Sequence, residues 1–209
     1  MTAAYQRASL AIQHSIVPAK VTKSYDELGR VKVRFPWMDE KQESDWIIIT
    51  SPMTGKERGL FFMPEENDQV LVAYAHSHVE RSYILGGLWS DANKPPAKDR
   101  VKRIIKSVSG HVITLDDTKD SETISIVDKS GKNKIVLDAK NNTVTIESGG
   151  DLTIQSKGNL SLKSDKDISI KGTNVTIEAQ QKVTAKGGTE MALNGPSGVK
   201  INDGALEVV

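Results

Sequence analysis

The sequence has no cysteine. Disulfides, thiolate nucleophiles and cysteine-ligated metals are therefore excluded, and the redox compartment is left open. Charge of one sign is also missing. The 28 Lys and Arg residues offset 27 Asp and Glu, leaving a formal net charge of +1. That balance gives no electrostatic case for nucleic acid or an anionic membrane as a partner. No apolar run approaches the roughly 18 residues of a membrane span, and Met1 to Lys20 lacks a signal-peptide core. The expectation is a soluble protein made in the cytoplasm. Aromatics make up 5% of the residues, and none occurs after Trp89. Large aromatics supply much of the buried area of an ordinary core, so the second half must bury its apolar surface in another way.

What is present divides the chain in two. Residues 15–90 carry all three Trp, all three Phe and three of the four Tyr. Val31, Val33 and Phe35 alternate with Lys32 and Arg34, the period of a half-buried strand. Ile16 to Val21, Trp46 to Ile49, Val70 to Tyr74 and Tyr83 to Trp89 read as four more strands, with Trp46-Ile47-Ile48-Ile49 expected to be buried on both faces. Five short strands in this length suit a small closed barrel of the OB type. Residues 1–14 form a separate segment compatible with a short helix, and residues 91–103, around Asn93-Lys94-Pro95-Pro96, read as a linker.

Residues 104–209 contain an internal repeat. Apolar residues recur as pairs two apart: Val144/Ile146, Leu152/Ile154, Leu160/Leu162, Ile168/Ile170, Val175/Ile177, Val183/Ala185, Met191/Leu193 and Val199/Ile201, at successive spacings of 8, 8, 8, 7, 8, 8 and 8. Turn formers such as Gly149-Gly150-Asp151, Lys157-Gly158-Asn159 and Gly187-Gly188 separate them. A β-helix coil that encloses its own core needs roughly 20 residues, so an octad cannot close alone. A flat meander would expose an apolar ridge and open edges. Three chains resolve this by bringing three ridges together at one axis, and these pairs are then the expected trimer core. Eight layers at ~4.8 Å give a rod on the order of 40 Å. The alternative is a monomeric solenoid or fibrous linker. Ile113/Leu115, Ile124/Ile126 and Ile135/Leu137, spaced 11 and 11, read as wider strands leading into the octads. The fold class is thus all-β: an OB-like barrel followed by an intertwined trimeric triangular β-helix.

Gly29-Arg30-Val31-Lys32-Val33-Arg34-Phe35-Pro36-Trp37 resembles the signature of the OB domain in VgrG-type and phage baseplate assembly protein V-type spikes of contractile injection systems. Trp46, then Gly59 to Pro64 leading to Val70-Leu71-Val72, then Ile84-Leu85-Gly86-Gly87-Leu88-Trp89 before Pro95-Pro96, follow in the same order. Two positions depart from the pattern. Asn67 stands where Gly is common, and it is the next best residue for a left-handed turn. His76-Ser77-His78 stands where a Gly-Asp turn is usual. The sequence shows no counterpart of the large hub domain of secretion-type spikes, so the expected form is the short baseplate version. The resemblance implies a structural spike of a phage tail, tailocin or type VI-like device, delivered outside the cell. It implies no catalysis and no cofactor, and contact with a membrane only by piercing. It also implies a trimeric hub protein at the barrel end and a PAAR-type tip protein at the other. The sequence after Gly204 runs through Leu206, Val208 and Val209, an apolar surface suited to that tip partner.

Sharper sites are weighed against this. His76 and His78 point one way on a strand, but two ligands do not complete a metal site. Asp116-Asp117 and Asp165/Asp167 could imitate the carboxylate pair of a glycosidase, yet they lie in repeat turns with no aromatic platform near them in sequence. OB-folds also bind oligonucleotides or glycans on aromatics over a basic groove; Trp37, Phe61 and Phe62 with Lys32 and Arg34 are the residues for that alternative function. The structural reading instead has those aromatics filling the barrel.

Overall fold

The computed structural model describes residues 16–75, 81–196 and 198. All regular structure there is β, and no helix among those residues is long and apolar enough to cross a membrane. The chain divides into two compact units, one running to Leu152 and the other starting at Thr153.

The first unit opens with a closed barrel. Its strands are β1 (Ile16–Lys23), β2 (Arg30–Arg34), β3 (Ile47–Ile49), β6 (Gln69–Tyr74) and β7 (Ser82–Leu88), joined in the cyclic order β1-β2-β3-β7-β6. β4 (Thr54–Gly55) and β5 (Arg58–Gly59) form a small hairpin between β3 and β6. β3 and β7 pair in parallel and the other barrel pairs are antiparallel. This is the five-stranded, OB-like barrel expected from the alternation of Val31 and Val33 with charged neighbours. Those two valines, with Ala19, Val21, Phe35, Ile47, Val70, Val72 and Ile84, make the buried core. A small barrel has a narrow interior, which branched aliphatic side chains on alternate positions fill without strain.

Two turns set the strand registers. Asp26 folds its own turn: its carboxylate accepts the backbone N–H of Leu28 (3.0 Å) and of Arg30 (2.9 Å), and also the Arg30 guanidinium. Gly29 within it has a φ of 70°. Asn67 adopts a φ of 76°, the left-handed conformation expected for it, and donates its N–H to the carbonyl of Val21 at 2.9 Å.

Two sequence expectations for the barrel fail. β3 is not buried on both faces: Ile47 is buried, but Ile48 is more than half exposed. A strand on the wall of a barrel has one face outside, and no other described element covers Ile48. The aromatics do not fill the interior either. Among the described residues Phe35 is the one buried aromatic; Trp37, Phe61, Phe62 and Trp89 lie on the surface, Phe61 at 70% exposure. Aliphatic side chains already occupy the inward positions.

The first unit also holds a five-stranded antiparallel meander, β8 (Lys102–Lys106), β9 (Val112–Asp116), β10 (Thr123–Val127), β11 (Lys134–Asp138) and β12 (Thr143–Glu147). Lys102 and Arg103, assigned from the sequence to the linker, lie within β8.

In the second unit, residues 153–196 contain no strand, and every one of them is exposed.

Candidate assembly interface

The meander is laid out so that side chains opposite one another share a face. Ile105, Ile113, Ile126, Ile135 and Ile146 stand in one row across all five strands. Arg103, Leu115, Ile124, Leu137 and Val144 make the neighbouring row. Period-2 alternation puts Ile104, Thr114, Ser125, Val136 and Thr145 on the other face. Apart from Arg103, the two rows form a continuous apolar face that none of the described residues covers. Ile126 is 49% exposed and Val144, on the last strand, 69%. An open depression of about 650 Å³ runs along the isoleucine row and includes Leu152. Monomeric soluble proteins seldom leave so large an apolar surface uncovered.

The ends of this sheet are held by polar turns. Asp128 accepts from the hydroxyl of Ser130 (2.8 Å), the backbone N–H of Asn133 (3.3 Å) and its side-chain amide (3.0 Å). Asp138 accepts from the N–H of Asn141 (3.0 Å) and its side-chain amide (2.8 Å). Asn133 Oδ1 in turn accepts the N–H of Gly149 at 3.0 Å, fixing the exit from β12 to the β10–β11 turn. Hydrogen bonds to the charged form hold a carboxyl below its usual range. The Ser130 hydroxyl lowers Asp128, and the Asn141 N–H lowers Asp138. Asp116 is lowered by the Thr118 hydroxyl and by Lys102, whose ammonium lies 3.1 Å away, and Asp117 pairs with Arg103. Of the two acid pairs weighed for catalysis, Asp116 and Asp117 thus belong to a turn and to ion pairs, and Asp165 and Asp167 are exposed.

The residues named from the sequence fall into three groups. Val144 and Ile146 lie on β12, paired within the chain to Leu137 and Ile135, so the first octad pair belongs to the meander. Leu152, Ile154, Leu160, Leu162, Ile168, Ile170, Val175, Ile177, Val183, Met191 and Leu193 are all exposed. Val199, Ile201, Leu206, Val208, Val209, His76 and His78 lie outside the described residues. Ile105 was missed. It sits two residues after Arg103 and eight before Ile113, a spacing that could have extended the apolar pattern back by one strand.

The barrel surface offers less to a nucleic acid than its sequence suggests. Glu43 lies 2.8 Å from the ammonium of Lys32 and 3.4 Å from that of Lys23. These lysines, Lys32 foremost, hold the Glu43 carboxyl below its usual range. Arg30 is tied to Asp26, and Arg34 donates to the carbonyl of Gln42 at 3.1 Å. Trp37 stacks on Phe35 with centroids 4.8 Å apart, and Phe61 meets Tyr25 edge-on. The three outward cations of β2 therefore have partners within the chain, and no group of three potential metal ligands occurs among the described residues.

Comparison with known proteins agrees with the barrel. Residues 17–89 match the family described as the type VI secretion system/phage-baseplate injector OB domain. Three relatives align over about half of this chain. The actin cross-linking toxin VgrG1 of Vibrio cholerae is 25% identical over 127 residues, 56% of this chain and 11% of that protein. The type VI secretion system spike protein VgrG2a of Pseudomonas aeruginosa is 23% identical over 124 residues, 54% of this chain and 15% of that protein. The spike protein VgrG5 of the same organism is 26% identical over 132 residues, 56% of this chain and 17% of that protein. The matched part is a small share of each relative's length. The resemblance to VgrG-type baseplate spikes is borne out by these matches.

Proposed function

We propose, from an injector-type OB domain followed by an uncovered apolar sheet, that three copies of this chain assemble into the central spike of a contractile injection machine. The observation that carries the reading is the pair of apolar rows across β8–β12. Three such faces turned to a common axis bury what one chain leaves in water, at roughly 25 cal/mol for each Å² covered. The octad pairs from Leu152/Ile154 to Met191/Leu193 extend the same logic, because they too are apolar, exposed and, among the described residues, without strand pairing. In this reading they form an intertwined triangular β-helix with Val199 and Ile201 as its last layer. Such a rod transmits axial force, since no chain can peel off without breaking its pairing with the other two. The role is mechanical: sheath contraction drives the spike through a target envelope. It uses no catalytic residue. By resemblance, the barrel end meets a trimeric hub, and Leu206, Val208 and Val209 meet a PAAR-type cap.

Light scattering on the purified chain tests the assembly. A mass three times the 22.8 kDa chain is expected. A folded monomer at working concentration overturns the proposal.

A further inference from the structure

Nine of the ten positions in the two apolar rows are aliphatic, and the tenth is Arg103. It stands directly opposite Leu115 on β9, so its side chain leaves the sheet on the apolar side. Asp117 follows β9, and its N–H donates to the carbonyl of Val101 at 3.1 Å, which continues the ladder one step and returns Asp117 to the face of Leu115. The two side chains form an ion pair there. One residue earlier on each segment, Lys102 and Asp116 pair at 3.1 Å on the opposite face. The Lys102-Arg103 and Asp116-Asp117 dipeptides thus place one ion pair on each side of the sheet. The Lys102 pair lies on a mixed face, where Ile104 and Val136 stand among Thr114, Ser125 and Thr145. The Arg103 pair closes one corner of a surface that is otherwise made of aliphatic side chains.

We propose that the Arg103–Asp117 pair is the key that fixes register and partner identity in the copy–copy interface; this rests on the spike reading given above. The guanidinium presents its donors in a rigid fork. Nη1 serves Asp117 and also the carbonyl of Val101, at 3.2 Å, whereas no hydrogen bond engages Nε or Nη2 among the described residues. Those two donors suit the Asp117 carboxylate of the next copy. Three Arg and three Asp around an axis make a neutral, alternating ring in which every charge keeps a partner. A chain shifted by one strand sets an aliphatic residue against the guanidinium and takes Nε and Nη2 out of water without giving them an acceptor, which is the costly arrangement. A foreign chain with an all-aliphatic face incurs the same penalty. Aliphatic rows attract without direction, so one polar position among them selects a single alignment, as single polar residues do in coiled-coil seams.

The test compares native mass spectra and cross-linking patterns of the full chain with those of Arg103→Leu, Arg103→Asp and the exchanged pair Arg103→Asp/Asp117→Arg. The unaltered chain is expected as one trimeric species. Arg103→Leu should still assemble, but spread over more than one copy number or cross-link register. Arg103→Asp alone should lose assembly, and the exchanged pair should regain a single trimer. A homogeneous trimer from Arg103→Leu, in the same register as the unaltered chain, overturns the inference while leaving the spike reading intact. A monomeric unaltered chain overturns both. If Arg103→Leu does not fold, the exchanged pair decides: failure to regain a single species overturns the inference.

Discussion

Ile113 on β9 stands directly opposite Ile126 on β10, and both leave the sheet on the side that none of the described residues covers. A strand pair inside a finished protein normally sends such residues into a core. Here the core lacks its other half. The barrel contains no such gap, since every residue of its buried cluster meets others of the same cluster. One chain therefore contains an element with its own buried core and a sheet whose apolar face no described part of the chain buries.

That contrast gives the first prediction. Ile126 is 49% exposed in the single chain, so Ile126→Asp removes little burial from one copy. In an assembly it gathers three carboxylates where aliphatic faces meet, each costing several kcal/mol to desolvate. Ser125→Asp, on the other face, leaves those carboxylates in water. Sedimentation should show Ile126→Asp as a single chain with the barrel's near-ultraviolet signal retained, and Ser125→Asp as a trimer. Trimeric mass for Ile126→Asp would show that this face is not the interface.

The barrel should respond to mutation as an ordinary core. Ile84 is 1% exposed and packs within the buried cluster, so Ile84→Ala removes buried methylenes and leaves a cavity. About 3 kcal/mol of stability should be lost in urea denaturation. Leu85, its neighbour on the outer wall, is far more exposed, and Leu85→Ala should cost below about 1 kcal/mol. Equal losses at the two positions would contradict the inside–outside assignment of β7.

Much of this was legible in the residues because alternation is a local signal. Val31, Val33, Val70 and Val72 announce their strands by period alone, and Asn67 announces its turn by chemistry. The positions of Trp37, Phe61 and Phe62 were not legible, since hydrophobicity does not say whether an aromatic faces a barrel lumen or a future partner. The pairing of Lys32 with Glu43 spans 11 residues, and no periodicity encodes it. Val144 and Ile146 show the limit of the repeat: their spacing matches the octads that follow, yet their backbone pairs with β11 of the same chain. Spacing records which side chains share a face, not which chain supplies the neighbouring strand.

Acid should loosen the turns before the core. Asp26, Glu43, Asp116, Asp128 and Asp138 all have folded-state pKa values below their ordinary ones, through hydrogen bonds or cations that favour the charged form. For a depressed carboxyl the contribution is present above the unfolded value, near 4, and disappears as pH falls through the folded one. Melting temperature should therefore decline below about pH 4, and Asp128→Asn should flatten that decline. Tyr74 has the opposite sign. Burial pushes its phenol up to about 12 from the ordinary 10.0, so its contribution is present below 10 and is lost as pH rises towards 12. A flat melting temperature from pH 5 to pH 2 would count against the turn carboxylates as supports.

The last prediction concerns rate rather than equilibrium. Residues 153–196 form no strand pair with any described residue of their own chain, so in the proposed rod every strand contact there is between chains. Opening such a structure means breaking many contacts at once, without a locally stable piece to unzip from, and this raises the unfolding barrier. The outcome expected is a trimer that survives detergent at room temperature and runs as a trimer on an unheated gel, falling to the single chain after boiling. Leu160→Asp, placed among the octads, should abolish that resistance even where β8–β12 still associate, because one charged layer interrupts the interlock. Lys163→Asp, on the polar side of the same repeat, should leave it unchanged. Immediate dissociation of the unaltered protein in cold detergent would sink the intertwined arrangement while leaving a trimer held by β8–β12 alone.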